Sequence, residues 1–74
     1  MDPAYLEVTL IEEQIAELLP ASNPEGALAR WGAVRAAVVA NENVRAHRLA
    51  ERFLVEAGLP AEAHAEIQRL IKET

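Results

Sequence analysis

The segment Val39-Ala40-Asn41-Glu42-Asn43-Val44 lies inside a run from Pro24 to about Ala57 that otherwise reads as helix, and its resolution sets the number of helices in the chain. Asn41 and Asn43 are poor helix formers whose side chains favour caps and turns. No Gly or Pro accompanies them. A continuous helix would be roughly 50 Å long at 1.5 Å per residue. At about 100° per residue Leu28, Trp31 and Val39 fall on the same side as Leu49 and Phe53, as a continuous helix requires. Helix length in ordinary domains argues the other way. The sequence therefore predicts a break or sharp bend at Asn41-Glu42-Asn43, with one long helix as the competing reading.

On either side the punctuation is clearer. Asn23-Pro24-Glu25 is a start signal, an Asn cap followed by Pro at the first helical position, and Asp2-Pro3 has the same form. Pro20 disfavours helix at the residue before it and ends the first segment. Gly58-Leu59 reads as a Schellman ending near Ala57, and Pro60 opens a last helix to about Lys72. No period-two alternation survives, and the segments share no repeated residue pattern. The predicted fold is all-α: a small bundle of three to four helices at about 3–19, 24–40, 43–57 and 60–72, forming one helical domain over 1–74.

Seventy-four residues are near the size at which one hydrophobic core becomes marginal. Of 38 hydrophobic residues 15 are Ala, leaving 23 larger side chains to offset the ordering entropy of the chain, so oligomerisation is expected to complete the bundle. The absence of Cys removes disulfides, thiolate metal sites and a cysteine nucleophile. The first 20 residues carry five acids and no Lys or Arg, and no apolar run approaches 18 residues, unlike a secretory leader or a membrane span. A cytoplasmic protein is expected. Six Arg against one Lys, with the Ala content, is a composition associated with GC-rich bacterial or phage coding sequence.

A net charge of −5 argues against general affinity for nucleic acid or anionic membrane. The charge is split. Residues 1–19 hold Asp2, Glu7, Glu12, Glu13 and Glu17 with no base, whereas residues 30–52 hold five Arg against Glu42 and Glu51. In the first helix Val8, Ile11, Ile15, Leu18 and Leu19 form one stripe, the expected core face. Leu6 and Leu10 make a second strip beside Glu13 and Glu17, read as a contact for a partner or second subunit. In the next helix Leu28, Trp31, Val34, Val38 and Val39 occupy one side, while Ala29, Ala33, Ala36 and Ala40 line the other at spacings of 4, 3 and 4. Such a strip allows close approach of another helix, within the fold or across an oligomer.

Arg45, Arg48 and Arg52 share a face, with Arg30 in phase if the helix is continuous. They read first as a solvated face with local Glu partners and second as a phosphate track or a receptor for an acidic helix, the first helix included. His47 and Glu51, and Glu62, His64 and Glu66, lack the Glu-x-x-His spacing of a helical-bundle metal site. Ser22 is the only serine and has no oxyanion nest, and three separated Gly assemble no phosphate loop. Phe53 to Leu59 partly matches a helix-turn-helix turn, but the following helix carries three Glu against one Arg and one Lys, opposing phosphate.

The expected function is that of a small non-enzymatic protein–protein interaction module, a regulator, adaptor or inhibitor of a larger partner, acting as a homodimer or higher oligomer. Its expected interface is Leu6, Leu10, Glu13, Glu17, Ala29, Ala33, Ala36 and Ala40. The alternative is a dimeric nucleic-acid-binding module using Arg30, Arg45, Arg48 and Arg52. No catalytic, cofactor or metal role is assigned to any residue.

Overall fold

A computed structural model describes residues 3–74 and places four helices in chain order: α1 (Pro3–Leu18), α2 (Pro24–Val39), α3 (Asn43–Leu54) and α4 (Ala61–Lys72). Pro3 is the first residue of α1, and the capping role expected of Asp2 lies outside the described residues. Asn23 caps α2 as expected, its side-chain oxygen accepting from the N–H groups of Glu25 at 2.8 Å and Gly26 at 3.4 Å.

The middle stretch is two helices. Asn41 takes a left-handed conformation, φ 62°, the one non-glycine residue to do so among those described. Its N–H donates to Val38 O at 3.0 Å and that of Glu42 to Ala37 O at 2.8 Å, the paired bonds of a Schellman ending. Asn tolerates this conformation better than other residues with a Cβ, so the break needs no glycine. α3 then ends at Leu54, three residues short of the expected Ala57. Gly58 does adopt positive φ, 86°, but within the turn that follows rather than as the cap of α3. The early ending frees Glu56 to reach Arg30 of α2.

α2 is the central element, with α1 packed on one side and α3 and α4 on the other. The radius of gyration, 11.0 Å, is that of a compact chain of this length. The core is made chiefly of small side chains. Among the described residues the buried apolar set consists of ten alanines with only Val34, Leu49, Phe53 and Ile67 as larger members. Nine large apolar residues stay exposed. Burying a side chain such as Phe53 or Ile67 contributes about 2–3 kcal/mol, and Ile15, Trp31, Val38, Leu54, Leu59, Leu70 and Ile71 pack half-buried around the four larger core residues, adding to what close helix approach supplies.

The expected core face of α1 is overturned. Val8, Ile11 and Leu18 are exposed, Leu18 at 82%, and Ile15 and Leu19 are half-buried. The residues of α1 buried against α2 are Thr9 and Ala16. The cause lies on α2, whose alanine line lets the α1 backbone come close enough for the Thr9 hydroxyl to donate to Ala33 O at 2.7 Å. Small residues facing small residues bring the axes together, and the bulky stripe is turned out of that contact. Leu28 and Val39, expected on the apolar side of α2, are likewise exposed, while Val34 is fully buried.

Candidate interaction surfaces

The alanine strip is inside the chain. Ala29, Ala33, Ala36 and Ala40 are all buried, which makes the close helix contact intramolecular and removes them from any surface open to a partner. This corrects their expected interface role. A helix apolar on two sides is here central in its own fold.

Arg30 is also withdrawn from the surface, at 4% exposure. Its Nε donates to Glu56 Oε1 at 2.7 Å, one terminal nitrogen to Glu56 Oε2 at 3.1 Å and Ala16 O at 3.0 Å, and the other to Leu19 O at 3.0 Å and Gly26 O at 2.9 Å. Every one of its five N–H groups has an acceptor. The Phe53 ring lies 5.6 Å from the guanidinium carbon. The Ala16 carbonyl would ordinarily accept from residue 20, but Pro20 has no N–H, and Arg30 supplies the missing donor. A cation at the carbonyl end of α1 is also favoured by the helix dipole. As a contact for an external anion or acidic partner, Arg30 is corrected to a structural clamp.

The other three arginines lie on α3. Arg45 donates to Glu13 Oε2 of α1 at 2.9 Å, so the basic face does receive the acidic helix of its own chain. Arg48 and Arg52 are exposed, Arg52 against the Phe53 ring. They share a shallow cleft with Glu13, Glu42 and Arg45. Of the four α1 residues expected at an interface, Leu10 and Glu17 are exposed, Leu6 is half-buried, and Glu13 is half-buried and paired within the chain.

Two apolar surfaces lie at the exterior where the sequence reading does not place them. One is the exposed part of the α1 stripe, Val8, Ile11 and Leu18, with Leu28, Gly32, Arg35 and Val39 in one line along α2, where Gly32 lies against Glu12 of α1. The two helices run antiparallel, since Thr9 meets Ala33 while Ala16 and Leu19 meet Arg30. The other is a groove of about 400 Å³ between the start of α2 and α4. It is shallow and open, lined from α2 by Pro24, Ala27, Leu28 and Trp31 and from the α4 side by Pro60, Glu62, Ala63 and Glu66. Spacings of i, i+3 in Leu28 and Trp31 and of i, i+4 in Glu62 and Glu66 place each pair on one helical face, a signal that gains meaning once the helix pairing is known.

Among the described residues no group of three or more His, Asp or Glu is placed to hold a metal ion. His47 and Glu51 share a shallow surface with Arg48, and His64 is half-buried on α4. The six-residue connection from α3 to α4, residues 55–60, is longer than the 3–4 residues of a helix-turn-helix turn. No described helix is long and apolar enough to cross a membrane.

No family model, curated protein or solved structure matches the chain. Its function has to be read from its surfaces.

Proposed function

We propose that this chain is a non-enzymatic protein–protein interaction module of the cytoplasm, a regulator or adaptor that binds a helical segment of a larger protein in the groove between α2 and α4. The observation that carries the reading is the groove itself: an apolar lining of Leu28, Trp31 and Ala63 with carboxylates on the α4 side. An apolar lining supplies affinity and an acidic side supplies selection, so the occupant is an amphipathic helix with Leu-type anchors and Lys or Arg on its flank. Among the described residues, the charged side chains lining the groove are Glu62 and Glu66, neighbours on one helix, with Glu66 also bonded to Arg69. They do not face each other across a cleft as an acid–base pair would.

Trp31 is the only tryptophan, so its fluorescence reports on the groove directly. Titration with a synthetic amphipathic Leu/Lys helical peptide is expected to shift the emission to the blue saturably. The matching Leu/Glu peptide is expected to leave it unchanged, and Glu62→Lys with Glu66→Lys to abolish the response. Equal responses to both peptides, or none to either, would overturn the reading. The nucleic-acid alternative is weakened because Arg30 is buried and Arg45 is paired, which leaves Arg48 and Arg52 as its cations.

A further inference from the structure

We propose that the outward face of the α1–α2 hairpin is a self-association surface, on which a second copy of this chain packs so that α1 of each copy lies across α2 of the other. Val8, Ile11 and Leu18 of α1 and Leu28 and Val39 of α2 are exposed in two strips, one on each helix, at 44%, 49%, 82%, 61% and 46%. Glu12 joins the strips. It is half-buried and its carboxylate lies against Gly32, since a Cβ added there would meet Glu12 Oε2 at 2.7 Å. Large exposed apolar patches are uncommon on monomers, and this hairpin leaves five large side chains exposed along its two helices. The alanine-rich core explains why so many large side chains are left over.

Charge commits the face to one occupant and one arrangement. α1 carries Glu7, Glu12, Glu13 and Glu17 and no Lys or Arg, so two copies meeting α1 to α1 would set acid against acid. The α2 ridge carries Arg35, exposed between Leu28 and Val39, with its guanidinium over the Trp31 ring at 5.7 Å. Neither Arg35 nor Glu12 forms an ion pair among the described residues. Laying α1 of one copy on the α2 ridge of the other brings Arg35 to Glu12 of the second copy, and two-fold symmetry makes the pair twice. The stacked hairpins form a four-helix layer of the kind that buries such stripes. This surface shares Leu28 with the Trp31 groove and meets it again where Arg35 lies over the Trp31 ring, whereas Ile11, Glu12 and Leu18 lie outside the groove, so variants at those three positions test the self-association surface apart from the groove.

The test is sedimentation velocity on the full chain at micromolar concentration, with helicity checked by circular dichroism. The wild-type chain is expected at twice 8.1 kDa. Ile11→Glu and Leu18→Glu, both on exposed positions, are expected to be monomers of unchanged helicity. Arg35→Glu and Glu12→Arg are each expected to weaken self-association about tenfold. Mixed together they are expected to restore it, because every cross-copy pair is then oppositely charged. A wild-type monomer at 100 µM, or dimers indifferent to Ile11→Glu and Leu18→Glu, would overturn the surface. Charge variants that fail to complement on mixing would overturn the α1-on-α2 arrangement.

Discussion

Arg30 and Glu56, 26 residues apart, meet side by side through two hydrogen bonds of 2.7 and 3.1 Å. The pair closes a circuit: the same guanidinium holds the carbonyl end of α1, and the same carboxylate fixes the turn between α3 and α4. Paired, the buried cation is fully solvated by protein. Unpaired groups on either side are what make its removal costly.

Arg30→Met is therefore expected to cost about 3–5 kcal/mol, because it leaves the Ala16 carbonyl without a donor and Glu56 without a counter-charge. Arg30→Lys should recover little of this, since a single ammonium cannot match the planar fork of five donors. Urea denaturation of the two variants measures both losses. A cost below about 1 kcal/mol for Arg30→Met would show that the circuit is dispensable.

The break at Asn41 gives a cleaner local test. Its φ of 62° suits glycine better than asparagine and opposes any β-branched side chain. Asn41→Gly is expected to stay within about 0.5 kcal/mol of wild type, and Asn41→Val to lose about 1–2 kcal/mol. Equal stability of the two, by thermal or urea unfolding, would argue for a helix continuous through this point.

At the α1–α2 contact, Ala33 and Ala36 are fully buried, so Ala33→Leu or Ala36→Leu is expected to cost about 1–3 kcal/mol by forcing the helices apart. Thr9→Val keeps the shape but loses the donor to Ala33 O, for about 1 kcal/mol. The three changes act on one contact and should fall short of additivity when combined. Strict additivity in their unfolding free energies would mean that the sites do not share it.

The same residues divide what sequence reasoning can reach from what it cannot. Asn23, the Asn41 interruption, Gly58 and the alanine spacing are legible because each acts through local backbone chemistry. The side of α1 that meets α2 is not. Periodicity reasoning sends the largest side chains inward, and here the smallest ones decide, Thr9 and Ala16 seven apart against a line of alanines. Arg30 is misplaced by sequence for a related reason: it shares a face with Arg45, Arg48 and Arg52 only if the helix passes unbroken through Asn41. A hint to its true role is in the sequence, since Pro20 leaves the Ala16 carbonyl without its usual donor. The groove is illegible because Trp31 and Glu62 are brought together only by the packing of α4 on α2.

Two glycines of α2 are expected to respond in opposite directions to the same change. A Cβ at Gly26 would run into the backbone oxygen of Pro20, and backbone cannot step aside without moving the α1–α2 turn. Gly26→Ala should therefore destabilise by about 2 kcal/mol or more, as overpacking does. At Gly32 the nearest atom is Glu12 Oε2, the free end of a flexible side chain. Gly32→Ala lets that carboxylate swing aside and gains about 0.5–1 kcal/mol from the reduced freedom of the unfolded chain and better helix propensity. Because the displaced carboxylate is the one assigned to Arg35 of a second copy, Gly32→Ala should raise monomer stability while altering the dimer constant. Unfolding at a concentration below dissociation, beside sedimentation above it, separates the two effects. A Gly32→Ala variant that is destabilised even as a monomer would mean that Glu12 is locked in place by its own chain, and would leave Arg35 without the cross-copy partner assigned to it.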